Sequence, residues 1–326
     1  MRIFAARTIQ MKIMSIDTVL TFLESCYKVC TDLIVTPNKR TYFLYMFTSL
    51  PFVYFIYKKK EKKSFLKFLL PKKIWLGKSA FVDYYFIAFN SVVKILLIAP
   101  LFIFGFKLAF HTTEYLNKWF GYELIQLSTV STMIAYTIAL SVFGDFVTYL
   151  IHLAMHKVPF LWEFHKTHHS ATTMNPFTQY RIHPVELILN NLGAILTFGL
   201  MTGVFDYLSA SQINKWTFAG VNIFTLIFNF WGANLRHSHV KFKFYNFLEY
   251  IFISPVQHQI HHSDKPEHYD KNLGSKFAFW DWIFGTLLRS KEVKKLHFGL
   301  GKQDNQNYAS FLQNLLNPFK NILGHK

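Results

Sequence analysis

Twelve of the chain's 15 histidines lie between His152 and His268, and ten of the twelve fall into four short motifs. His152 and His156 form an HxxxH, and His165, His168 and His169 an HxxHH. His237 and His239 stand in Arg-His-Ser-His, and His258, His261 and His262 form a second HxxHH. On a helix, residues at i, i+3 and i+4 share a face, so each HxxxH or HxxHH aims its imidazoles one way from about one turn. Neutral imidazole is the commonest protein metal ligand. Ten exceed what one closed four-ligand site can use, and suit two metal ions of about five ligands each.

Imidazole serves zinc, copper, iron and nickel alike, so the donors alone leave the element open. Neutral ligands cancel none of the metal charge, so acidic side chains are expected behind the histidines, accepting from the distal ring N–H groups. Asp145 is the leading candidate, because Asp145, Tyr149, His152 and His156 share one helical face. Glu163, Asp264, Asp270 and Asp281 are weaker ones. Cys26 and Cys30 are too few for a thiolate metal framework and read as ordinary thiols.

The elements that must position these residues are set by composition. Of 326 residues, 52% are hydrophobic, 19% aromatic and only 16% charged, with a mean hydropathy of +0.19. That excludes a disordered chain and points to a membrane. A spanning helix needs about 20 apolar residues, and the candidates are 42–57, 86–110, 127–150, 187–205 and 216–235, of which 42–57 is short and broken by Pro51. Residues 1–12 are not followed by the apolar core of a signal peptide, so these later segments are expected to direct membrane insertion. The expected fold is all-α: an integral membrane protein with four to five transmembrane helices and a cytoplasmic helical cap that carries the histidines.

Charge supplies the orientation. Nine lysines lie in 58–78, and the positive-inside rule places that loop in the cytoplasm. Alternation then puts 152–186 and 236–326 on the same side as 58–78, and the three stretches together hold 25 of the 35 Lys and Arg. The net charge of +17 is thus read as topology. Nucleic-acid binding is excluded, because the basic residues flank spans and no reader module appears. The expected organisation is a membrane-surface segment at 1–40, a transmembrane region at 41–142 with the basic loop 58–80, a histidine-bearing domain at 143–288, and a basic cytoplasmic tail at 289–326, read as a solvated helix.

The order HxxxH, HxxHH, RHSH, HxxHH between apolar hairpins resembles the fatty acid hydroxylase and sterol desaturase superfamily of integral membrane di-iron oxygenases, in its bacterial sterol-desaturase-like type. Further elements carry the likeness: Gly144-Asp145-Phe146 with Tyr149, Leu161-Trp162-Glu163-Phe164 before the first HxxHH, Tyr180-Arg181-Ile182-His183-Pro184, Asp270-Lys271-Asn272-Leu273-Gly274, and Trp280-Asp281-Trp282. The resemblance covers 143–288. It implies two irons, dioxygen as co-substrate, and hydroxylation or desaturation of a lipid C–H bond in a sterol, fatty acyl chain or ether lipid. Electrons would come from NAD(P)H through a separate reductase and a small cytochrome or ferredoxin, and no dinucleotide-binding glycine fingerprint stands in this chain. The active site would face the cytoplasm, from a bacterial inner membrane or an endoplasmic reticulum. The ligand positions fall on His152, His156, His165, His168, His169, His237, His258, His261 and His262, with His239 a weaker match. His183, Asp270 and Asn272 are expected behind them, and His268 in solvent.

Two other functions use similar residues. A metal transporter would place its ligands mid-span along a polar pathway, whereas these histidines gather at span ends on one side. A di-zinc lipid hydrolase differs in its metal, which spacing does not report.

Overall fold

The structure, a computed structural model, describes residues 16–60, 64–122, 126–209, 217–218, 221–293 and 295–324. The described elements are helical apart from one two-residue antiparallel ladder, Thr217–Phe218 against Val221–Asn222. Helix α1 (Ile16–Val35) packs on α2 (Lys78–Val93). Between them, residues 42–57 do not make one span. They divide into Phe43–Thr48 and Leu50–Lys60, because Pro51 has no N–H for the preceding turn and fits only the first turn of a new helix.

Helix α2 runs through a π turn at Lys94–Ile98 and a 3₁₀ turn at Ala99–Leu101 into α3 (Phe102–Phe120). Pro100 stands in the irregular stretch, where a missing N–H and a ring against the preceding carbonyls force the ladder to change pitch. Next come α4 (Thr129–Lys157), α5 (Pro159–His169) and α6 (Pro184–Leu208). The runs Lys78–Phe120, Thr129–Lys157 and Pro184–Leu208 are long and apolar enough to cross a membrane. Helix α6 lies against both α3 and α4, and glycines allow the approach. A Cβ at Gly203 would stand 2.5 Å from the carbonyl oxygen of Ala109, and one at Gly199 would stand 2.7 Å from the Leu108 side chain.

Among the described residues these three runs carry the expected spans at 86–110, 127–150 and 187–205. The expected span at 216–235 holds only α7 (Ile223–Phe230), preceded by the two-residue ladder; residues 216, 219 and 220 lie outside the described residues. The cause is Asn222. Its side chain caps α7 by accepting from the Phe224 N–H, and it ties the chain to the middle of α4 through Ser141 Oγ at 3.1 Å and the Thr137 carbonyl at 3.4 Å. Helix α7 therefore starts halfway along α4 and covers about 12 Å.

The cap gathers at the end of the bundle where α4 finishes and α6 begins. Its elements include α8 (Pro255–His261), the short helix Phe279–Ile283 and the C-terminal α9 (Phe311–Ile322). The stretch after residue 289, expected as a solvated tail, instead folds back onto α5. Asn314 is fully buried, accepts from Thr167 through its carbonyl at 3.0 Å and from Ser170 Oγ through Oδ1 at 2.8 Å, and donates to the carbonyls of Tyr308 and Ser310.

Candidate metal centre

Each histidine is placed by a local device. His152 and His156 occupy the last turns of α4, which ends where Val158 turns extended. Pro159, in the first turn of α5, lets the chain start a new helix at once, since the first N–H groups of a helix need no intrahelical partner. That return brings His165, His168 and His169 against the end of α4. His237 closes a 3₁₀ turn, Ala233–His237, entered through Gly232 at φ +77°. Helix α8 begins with Ser254 accepting from the Gln257 N–H while Gln257 Oε1 accepts from the Ser254 N–H, and with Pro255 behind the cap.

The nine histidines form two groups. His152, His156, His165, His169 and His261 make one, and His168, His237, His258 and His262 the other; within each, the ligand atoms lie within 4.8 Å of one another. In the four-histidine group, His237 Nε2 lies 3.4 Å from His168 Nε2, 3.1 Å from His262 Nε2 and 3.0 Å from His258 Nε2, and the last two are 3.2 Å apart. Nitrogens with such spacings surround a common point about 2 Å from each, the length of a metal–imidazole bond. In the other group, His152 Nε2 and His165 Nε2 are 3.1 Å apart, and the buried Nε2 atoms of His156, His169 and His261 have no hydrogen-bond partner among the described residues.

The outer face of the cluster fixes its proton pattern. The Nδ1–H of His152 donates to the Leu273 carbonyl at 2.7 Å, that of His168 to the Arg181 carbonyl at 3.1 Å, and that of His261 to the Lys271 carbonyl at 3.0 Å. His156 Nδ1 pairs with Asp270 Oδ1 at 3.2 Å. Each of these rings therefore turns an Nε2 lone pair toward its neighbours, and facing lone pairs call for a cation. Burial pushes the imidazoles of His165, His169, His237, His258, His261 and His262 well below their ordinary range and His168 down to about 4. These rings are already in the neutral, metal-binding form near pH 7. The residues present thus fit two metal ions held by imidazole alone.

The residues expected behind the ligands are placed unevenly. Asp270 touches His156, and that hydrogen bond, aided by Lys157, holds its carboxyl down at about 2. Asp145 does not reach a histidine. Its two oxygens accept from the backbone N–H groups of Lys276 and Phe277 at 2.9 and 3.1 Å, because a helical side chain leans toward the N-terminus, here away from the imidazoles. Asn272 holds loops together, bonding the Gln257 and Leu288 carbonyls and the Leu288 N–H. His183 caps α6 by accepting from the Val185 N–H and reaches the Leu315 carbonyl at 3.1 Å. His268 is buried rather than in solvent.

His239, weighed as a tenth ligand, lies outside both groups. His239 Nε2 instead donates to the Phe68 carbonyl at 2.7 Å.

Glu186 was missed by sequence reasoning. Its Oε2 lies 3.0 Å from His165 Nδ1, off the line of the ring N–H, and the residue is 5% exposed. An acid in the first turn after Pro184 reads as an ordinary helix start, which concealed it. Arg181 was quoted only as part of a motif, yet it joins α2 to the site. Its Nε donates to Asp83 Oδ1 at 2.6 Å, its Nη1 donates to Ser170 Oγ, and its carbonyl receives His168.

Two cavities meet the histidines from different sides. One of about 400 Å³ is lined by His156, His169 and His261 together with Trp162, Tyr269 and Asp304 of the cap. The other, of about 170 Å³, reaches His152, His165, His168, His237 and His258, and includes Thr148 and Asn190, one turn deeper into α4 and α6 than His152 and Glu186.

Comparison with known proteins agrees with this arrangement. The chain is 30% identical over 171 residues to an alkylglycerol monooxygenase of Caenorhabditis elegans, covering 52% of this chain and 30% of that protein. It is 29% identical over 188 residues to the human alkylglycerol monooxygenase, covering 58% and 38%. With an ornithine lipid hydroxylase of Rhizobium tropici it shares 27% identity over 194 residues, covering 57% and 52%. The match spans only about a third of the length of the alkylglycerol monooxygenases. No solved structure matches the chain. Residues 137–286 match the family described as fatty acid hydroxylase, and all the motifs placed above fall within that matched stretch.

Proposed function

We propose that the chain is a membrane-bound, dioxygen-dependent di-iron enzyme that hydroxylates a lipid C–H bond. The observation that carries the reading is the division of nine buried histidines into two facing groups with their outer nitrogens already committed. When bound, iron there supplies the reduction of dioxygen and the removal of a hydrogen atom from an unactivated C–H bond. The chain's own residues hold the imidazoles in one tautomer, keep them dry, and present the site to a cavity a turn inside two long apolar helices. Relatives named as monooxygenases and hydroxylases support oxygen insertion over desaturation.

Electrons are assigned to NAD(P)H, delivered by a separate reductase and a small carrier protein. The active site is assigned to the cytoplasmic face, where the loop at 58–78 holds nine lysines. His152, His156, His165, His169 and His261 would hold one iron, and His168, His237, His258 and His262 the other.

The test is incubation of the iron-loaded chain with a reductant, membrane lipid extract and ¹⁸O₂. A lipid carrying one labelled oxygen is expected. Dioxygen uptake that does not depend on reductant, or no labelled lipid after iron loading, overturns the reading.

A further inference from the structure

The membrane-side cavity contains two arginines that the metal chemistry does not use. Arg236 is 1% exposed. Its guanidinium lies over the Phe228 ring at 4.8 Å, its Nη2 donates to the Ile253 carbonyl at 3.3 Å, and its Nε has no hydrogen-bond partner among the described residues. Arg40, carried in by the loop after α1, lines the same cavity and donates through Nη2 to Ser275 Oγ at 3.1 Å.

Neither arginine forms an ion pair with a carboxylate among the described residues. Asp145 is near enough to act on both through space, but it is held by the 276 and 277 amides and pairs with neither arginine. Glu186 stands on the histidine wall beside His165. The contrast within this protein is Arg181, equally buried, which receives Asp83 at 2.6 Å. A buried guanidinium without a directly paired carboxylate is costly unless an anion arrives to meet it.

We infer that this cavity holds an oxyanion, the phosphate or carboxylate headgroup of the lipid substrate, with Arg40 and Arg236 gripping it while the histidines face the carbons beside it. The proposal rests on the lipid-oxidising reading and narrows it to an anionic lipid oxidised close to its headgroup. Size and position support it. At about 170 Å³ the cavity is smaller than the ~300–1,000 Å³ that encloses a drug-sized ligand, so it admits a headgroup and a few carbons rather than a whole chain. Thr148 and Asn190 in its lining belong to helices long enough to cross the bilayer, which favours a headgroup with its chain in the lipid over a free anion from water.

The experiment measures binding to the iron-loaded full chain in a neutral sugar detergent, with three probes: dodecyl phosphate, dodecylphosphocholine and inorganic phosphate. Dodecyl phosphate is expected to bind at least about tenfold more tightly than either of the others, since it alone brings both an unmasked oxyanion and a chain. Arg40→Gln is expected to weaken dodecyl phosphate by about tenfold and leave dodecylphosphocholine unchanged. Arg236→Gln is expected to do the same; if it fails to fold, Arg40→Gln, at a part-exposed position, decides.

Equal binding of the two dodecyl probes, or no effect of Arg40→Gln, overturns the proposal. Inorganic phosphate binding as tightly as dodecyl phosphate overturns the lipid assignment in favour of a free anion. The expected binding pattern without reductant-linked dioxygen uptake leaves the headgroup grip standing and removes the oxygenase reading. Uptake with a lipid but no anion preference does the reverse.

Discussion

Asp83→Ala tests how the cap holds the four-histidine group. Arg181 is 1% exposed, and its Nε meets Asp83 Oδ1 at 2.6 Å, while Asp83 Oδ2 accepts from Thr178 Oγ1 at 2.8 Å and Asn175 Nδ2 at 3.2 Å. The partners left to Arg181 after the substitution are neutral: Ser170 Oγ at 3.1 Å and the hydroxyl and carbonyl of Ser79. A buried charge deprived of its carboxylate costs about 3–5 kcal/mol. Because the Arg181 carbonyl fixes His168, the same change is expected to weaken metal at the four-histidine group by about tenfold. Equilibrium unfolding of the metal-free chain in detergent measures the first effect, and chelator competition the second. The double variant Asp83→Leu with Arg181→Leu removes both charges and is expected to recover most of the lost stability. A loss under about 1 kcal/mol for Asp83→Ala, or a double variant as unstable as the single one, refutes the reasoning.

Three further outcomes are expected. Glu186→Gln keeps the volume but replaces the carboxyl beside His165 with an amide, and should lower metal affinity of the five-histidine group by about ten- to a hundredfold in chelator competition; unchanged affinity would release Glu186 from that role. His239→Ala should leave the metal content of the purified chain as it was and cost about 1 kcal/mol, the value of its bond to the Phe68 carbonyl. Loss of one metal would return His239 to the ligand set. Gly203→Ala forces a methyl against the Ala109 carbonyl and should lower stability by about 1–3 kcal/mol in thermal unfolding, whereas a neutral result would mean that α3 and α6 do not sit so close.

What could be read directly from the sequence was local. HxxxH and HxxHH are helical spacings, so the rings of α4, α5 and α8 could be grouped before any fold was known. The apolar runs that became α3, α4 and α6 were visible for the same reason. What was hidden depended on backbone or on distant chain. Three of the ring N–H groups end on carbonyls of Leu273, Arg181 and Lys271, which no side-chain pattern reveals. Arg40 enters from a segment expected only to lie on the membrane. Asp145 shares a face with His152, yet the lean of its side chain gives it to the loop at 276–277. Within 216–235, the bonds of Asn222 to Ser141 and to the Thr137 carbonyl tie the start of α7 to α4, which the hydrophobic count does not reveal. His239 was hidden in the same way, because what holds it away from the cluster is the carbonyl of Phe68, 171 residues earlier in the chain.

The central claim is that the histidines build two metal positions and that iron occupies both. It is tested most directly by the metal content of the full chain, loaded anaerobically with ferrous iron and freed of loose metal, measured per chain by mass spectrometry. Two irons per chain are expected, falling to one in His258→Ala and to one in His169→Ala. A wild-type chain that retains only one iron, or none while holding stoichiometric zinc, contradicts the claim.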